Sequence, residues 1–135
     1  MDLFSNPLIV SLVKGLDAGA LRQRVIANNI ANINTPNFKK STVAFESLLK
    51  KALGHGHIPM NTTHPRHFGG TPLLAELQPE VNLNNTTSMR TDENNVDIDE
   101  EMTNLAANTI QYQALSRGLS EQYSLLRLVI TGGKG

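Results

Sequence analysis

Four histidines, His55-Gly56-His57 and His64-Pro65-Arg66-His67, are the side chains here whose type and spacing most suggest chemistry, because imidazole is the commonest metal ligand. Metal centres draw their ligands from rigid elements, usually with cysteine or carboxylate partners. These histidines stand in a run of Gly, Pro, Thr and Asn, with no cysteine in the chain and no nearby acid, so they read as loop residues. Glu100 and Glu101 are adjacent rather than facing, which is unsuited to a general acid and base pair. The six acids between Asp92 and Glu101 fit better as complement to a helix dipole. Neither a glycine-rich phosphate loop nor a nucleophile elbow is present. The expectation is a protein without catalytic residues, metal, cofactor or small-molecule substrate.

The elements that would carry any function are two long amphipathic segments. The first runs from about Asn6 to Ile33, with Ser5 or Asn6 as cap and Pro7 at the first helical position. Its positions 9, 12, 16, 19, 23, 26, 30 and 33 follow a three-four spacing and are apolar except for Gly19 and Gln23, a coiled-coil pattern. Gly15 and Gly19 either permit a close backbone approach or form a weak joint. Thr35-Pro36 ends the segment. The last segment starts at Asp97 or Asp99 and repeats the same spacing at 98, 102, 105, 109, 112, 116, 119, 123, 126 and 130 until Gly132-Gly133. Between them, Val43 to Leu53 predicts a short helix capped by Gly54, and Leu73–Leu77 and Val81–Leu83 short strands or a hairpin.

The predicted fold is mainly α: two long terminal helices packed as an antiparallel coiled-coil-like hairpin, with a short helix and a loop-rich, weakly β middle. Residues 1–36 and 96–135 are expected to form the helical unit and 37–95 the middle segment. The predicted seam contains Ile26, Ile30, Leu105, Tyr112, Leu119 and Leu126.

Both helices share one peculiarity. No charged residue lies between Arg24 and Lys39, or between Glu101 and Arg117. A two-stranded coiled coil flanks its seam with charges, whereas these tracts carry amides and hydroxyls. An amide both donates and accepts, which suits a surface covered by protein. Asn28, Asn29, Asn32, Asn104 and Asn108 are therefore expected at interfaces with neighbouring chains. The plainer alternative is a free-standing hairpin whose asparagines fray a helix end.

The balance of 12 basic and 12 acidic residues argues against broad binding to nucleic acid or acidic membranes. No cleavable signal is expected, because Met1-Asp2 opens acidic and Leu8 to Leu16 is interrupted by Ser11, Lys14 and Gly15. The chain would then remain in the cytosol or leave it by a route that reads no cleaved signal.

Asn28-Asn29-Ile30-Ala31-Asn32-Ile33-Asn34-Thr35-Pro36-Asn37-Phe38-Lys39 resembles the N-terminal signature of the bacterial flagellar rod and hook protein family. Asn95-Val96-Asp97-Ile98-Asp99-Glu100-Glu101-Met102, followed by Gln111-Tyr112-Gln113-Ala114-Leu115, resembles its C-terminal signature. The short middle and the closing Thr131-Gly132-Gly133-Lys134 are most similar to the proximal rod members. Asn37 stands where many members have Gly, and Asn tolerates the same left-handed turn. The resemblance implies a structural subunit exported by the flagellar type III apparatus and stacked into an axial shaft that transmits torque. Its partners would be copies of itself, other rod proteins and the membrane-anchored base. It assigns the motif turn to Asn34, Thr35, Pro36, Asn37, Phe38 and Lys39. A cytosolic coiled-coil adaptor or export chaperone is the competing class, though such chaperones usually carry charged outer faces.

Overall fold

A computed structural model describes residues 6–53, 74–85 and 90–132. The four histidines and Gly54 lie outside the described residues. Helix α1 spans Pro7–Ala31 and helix α3 spans Ile98–Ile130; strand β1 (Ser41–Ala44), helix α2 (Glu46–Ala52), a single 3-10 turn (Leu74–Glu76) and strand β2 (Glu80–Leu83) lie between them in sequence. At 1.5 Å per residue the long helices measure roughly 37 and 50 Å.

Each helix end has a side-chain cause. Asn6 Oδ1 accepts from the Leu8 N–H at 2.9 Å, and Pro7 spends no hydrogen bond at a position whose N–H would be free anyway. At the other end Asn32 Nδ2 donates to the Asn28 carbonyl at 2.8 Å, and the chain turns before Pro36. Asp97 caps α3 by accepting from the Asp99 and Glu100 N–H groups, and Asp99, Glu100 and Glu101 fill the first turn where the helix dipole favours negative charge. Gly132, at φ +63°, follows the last turn of α3.

The helices α1 and α3 pack antiparallel. Leu12 lies against Gly118, Leu115 against Gly15, and Tyr112 against Gly19. A methyl group at Gly19 would come within 3.1 Å of Tyr112 Cδ2, so the missing side chain is what lets the two backbones approach. The Gly19 carbonyl accepts from Asn108 Nδ2 at 3.0 Å across the gap, which requires that approach.

A third layer covers α1. Strand β1 pairs with β2 in antiparallel register, Ser41 opposite Leu83 and Ala44 opposite Glu80, and α1 also contacts β1 and the 3-10 turn. A two-stranded ribbon is marginal by itself, so this one depends on lying against the helix. Of the buried apolar residues, Ile9, Ala18 and Ile26 lie on α1, and Phe45, Leu77 and Val96 in the connections beside it.

Two local expectations change. Val43 and Ala44 belong to β1, and the short helix begins only at Glu46. The partner of the Val81–Leu83 strand is β1 rather than Leu73–Leu77, within which Leu74–Glu76 form the 3-10 turn. Val43 sits opposite Val81 and the ladder supplies its backbone partners, which outweighs the helical spacing that begins at Phe45.

The predicted α3 seam is also rotated. Ile98, Met102, Tyr123 and Ile130 are exposed, whereas Glu101 and Asn108 are buried. Each buried polar residue sits one position before an expected seam position, Met102 or Thr109, drawn inward by its hydrogen bond to α1. Of the proposed seam residues, Ile26 is buried, Ile30, Leu105, Leu119 and Leu126 are half-buried, and Tyr112 stands at the edge, 38% exposed.

Candidate functional site

The two signature stretches, separated in sequence by residues 40–94, are bound to each other chiefly by asparagine amides. Asn94 is completely buried and donates from Nδ2 to the carbonyls of Asn32 (2.9 Å), Ile33 (3.0 Å) and Thr35 (2.9 Å). Two amide hydrogens are thus shared among three carbonyls at and just beyond the end of α1. Its Oδ1 accepts from the Val96 N–H at 2.8 Å, which fixes the chain just before the α3 cap.

The neighbouring residues extend this clasp. Asn95 Oδ1 accepts from the Lys40 N–H at 2.7 Å and its Nδ2 donates to the Asn84 carbonyl at 2.8 Å, tying β1 and β2 to the start of α3. The Asn37 N–H donates to the Asp92 carbonyl at 2.8 Å, with Asn37 at φ 61°. That is the left-handed conformation for which Asn is the usual substitute when Gly is absent. Lys39 Nζ reaches the Glu93 carbonyl and Lys40 Nζ the Glu100 carboxylate, each at 2.6 Å. Arg90 donates to the Asp92 carboxylate, and this bond holds its pKa below the ordinary value against the opposing effect of desolvation.

Asn29 performs the same service for β1. Its Oδ1 accepts from the Ser41 N–H at 3.0 Å, and its Nδ2 donates to the Ser41 carbonyl at 2.8 Å and to Glu101 Oε2 at 3.0 Å. One amide therefore joins α1, β1 and α3.

The five asparagines expected at subunit interfaces consequently divide. Asn29 and Asn108 are buried inside the chain, because each satisfies backbone groups of another element. Asn32 is half-buried and works locally, donating to the Asn28 carbonyl and accepting from the Thr35 hydroxyl at 3.2 Å. Only Asn28 and Asn104 stand exposed with side chains free for a neighbour. In the motif turn, Asn34, Thr35, Pro36 and Asn37 are exposed and Phe38 and Lys39 half-buried. Sequence reasoning missed Asn94, which immediately precedes the second signature; a doubled Asn94-Asn95 before a helix cap was the available signal.

A charged link sits farther along α1. Arg22 donates to Gln111 Oε1 and to the Glu46 carboxylate, joining α1 to α3 and α2. Burial raises the Glu46 pKa, but its own backbone N–H and the Arg22 guanidinium outweigh that, so the net shift is downward from 4.5. A depressed carboxylate stabilises the fold above its unfolded pKa and loses that contribution as pH falls through the folded value. Urea titrations should therefore find wild type more stable than Glu46→Gln at pH 7, with the gap closing as the pH falls through the folded-state pKa of Glu46. A gap that did not narrow in acid would remove the ion pair as its cause.

The geometry contains no assembled set of reacting groups among the described residues; it contains a frame of two long helices locked at one end by amides. Residues 10–39 match the family model described as flagella basal body rod protein. Over 136 residues the chain is 39% identical to the flagellar basal body rod protein FlgB of Bacillus subtilis, covering 99% of this chain and all of that one. FlgB of Escherichia coli K12 is 34% identical over 128 residues, covering 89% of this chain and 90% of that protein. FlgB of Borreliella burgdorferi is 34% identical over 120 residues, covering 85% and 89%. The chain belongs to the FlgB family of flagellar basal body rod proteins. It is a structural protein of the flagellar basal body.

Proposed function

We propose that this chain is a proximal subunit of the rod, a passive element that carries torque through packing surfaces and catalyses nothing. It leaves the cytosol through the flagellar type III apparatus without a cleaved signal, and meets copies of itself, other rod proteins and the membrane-anchored base. Residues 1–36 and 96–135 form the inner helical unit and residues 37–95 the outer segment. Asn28 and Asn104 face neighbouring subunits.

One observation supports this reading above others. The heptad spacing of α3 is that of a buried seam, yet Ile98, Met102, Tyr123 and Ile130 on it are exposed. The positions facing α1 include Glu101 and Asn108 instead. A stripe with coiled-coil spacing that the described residues do not cover is suited to a helix from another subunit.

Met102→Lys tests it. Met102 is 52% exposed, so the variant should fold and be expressed as wild type, yet abolish swimming and be missing from purified hook-basal bodies. Normal incorporation would remove the stripe from the interface. Recovery of the wild-type chain only from cytosol would favour the adaptor instead.

A further inference from the structure

Beneath the charge-free part of α3 lies a half-open cavity of about 290 Å³ between α1, β1 and α3, lined by Arg22, Val25, Ser41, Val43, Glu101 and Asn108 among others. Its wall carries one cation, Arg22, which is bound to Glu46 and Gln111, and otherwise only neutral hydroxyl and amide donors. Glu101 is only 2% exposed, and among the described residues its carboxylate receives one bond, from Asn29 Nδ2 on Oε2. No cation of the described residues pairs with it: Arg22 is engaged by Glu46, Lys40 by Glu100 and Arg90 by Asp92. Asn108 Oδ1 is buried as well and has no hydrogen-bond partner among the described residues. Asn104 and Gln111, also on the wall, are neutral and supply no counter-charge.

A buried carboxylate that receives only one neutral donor calls for a cationic one, since an uncompensated charge away from water is costly. The mouth of the cavity lies along the exposed surface at Asn104 and Ala107, within the stretch of α3 that would meet other subunits. We propose that this cavity is a socket for a lysine or arginine side chain of an adjacent rod subunit, whose charged group binds Glu101 and whose stem lies on Val25 and Val43. The socket rests on the reading of the chain as an assembling subunit. It adds a charge-specific key to an interface otherwise made of apolar and neutral groups, and such keys fix register.

Two variants and a cross-linker test it in cells that build flagella. Glu101→Gln keeps an acceptor for Asn29 and removes only the charge; Ala107→Trp fills the mouth and leaves Glu101 in place. Both should unfold at the same urea concentration as wild type in the isolated chain, while their recovery in hook-basal bodies falls at least tenfold. A photoreactive benzoylphenylalanine at position 107 should capture, in intact basal bodies, a neighbour's peptide centred on a lysine or arginine. Wild-type incorporation of both variants would overturn the socket, as would cross-links confined to the chain itself. A loss of incorporation by Glu101→Gln matched by equal loss of stability, with Ala107→Trp incorporated normally, would make Glu101 a structural residue only. Absence of the wild-type chain from basal bodies would instead defeat the rod assignment, so the two failures are distinguishable.

Discussion

Replacing Asn94 by Ala should destabilise the fold by roughly 3 kcal/mol, because the buried Val96 N–H loses its acceptor and three carbonyls lose their shared donor. Burial of Val96 means that water cannot easily repair the first of these losses, whereas the exposed Thr35 end is more readily rehydrated. The damage should be local in origin: hydrogen exchange would speed up first at residues 32–40 and 92–97, and the helix contacts around Gly19 would follow only on global unfolding. Asn94→Asp separates shape from chemistry. It keeps an acceptor for Val96 but points a carboxylate at three carbonyls, so it should be at least as harmful as Ala at neutral pH and partly recover in acid. Urea midpoints for the two variants, measured at pH 7 and pH 4, decide the matter; an Asp variant as stable as wild type would show that the amide donors contribute nothing.

Gly19→Leu should cost a similar amount, roughly 3 kcal/mol, through the close approach of α1 and α3. Overpacking costs about 1–3 kcal/mol and the orphaned Asn108 amide about as much again, against a gain of about 1 kcal/mol in helix propensity. Gly19→Ala is the informative control. Its methyl would meet Tyr112 Cδ2 at 3.1 Å, but Tyr112 is 38% exposed and has room to give way, so Ala should be close to neutral. Thermal or urea unfolding of the pair should therefore split sharply. Two equally mild variants would mean that the interhelical contact at Gly19 is loose.

What the sequence made legible was whatever is decided within a few residues. The Asn6 cap, the acidic start of α3, the halt before Pro36 and the left-handed Asn37 are all local consequences of side-chain type. The β1–β2 pair joins residues about forty apart, and nothing in Ser41–Ala44 names Glu80–Leu83 as its partner. The rotated α3 seam was hidden for a different reason. Hydrophobic spacing reports where apolar residues recur, and here they recur on the surface, while Glu101 and Asn108 face α1 because specific acceptors and donors await them. Asn29 was misplaced for the same cause: it lies three residues from Ile26, on the same side of the helix, and only the position of β1 shows that an amide belongs there.

The central grip of the clasp, Asn94 on the carbonyls of Asn32, Ile33 and Thr35, contains no group that ionises at any pH a bacterium meets, and no charge for salt to screen. Its strength is therefore nearly the same in brine, in fresh water and in acid. The ion pairs around it will weaken and recover as the surroundings change, but the junction between the two ends of the chain will not. For a component of a rotating machine whose medium is set by the habitat, indifference to ionic conditions is a mechanical property: the stiffness of the joint does not vary with the water the cell swims in.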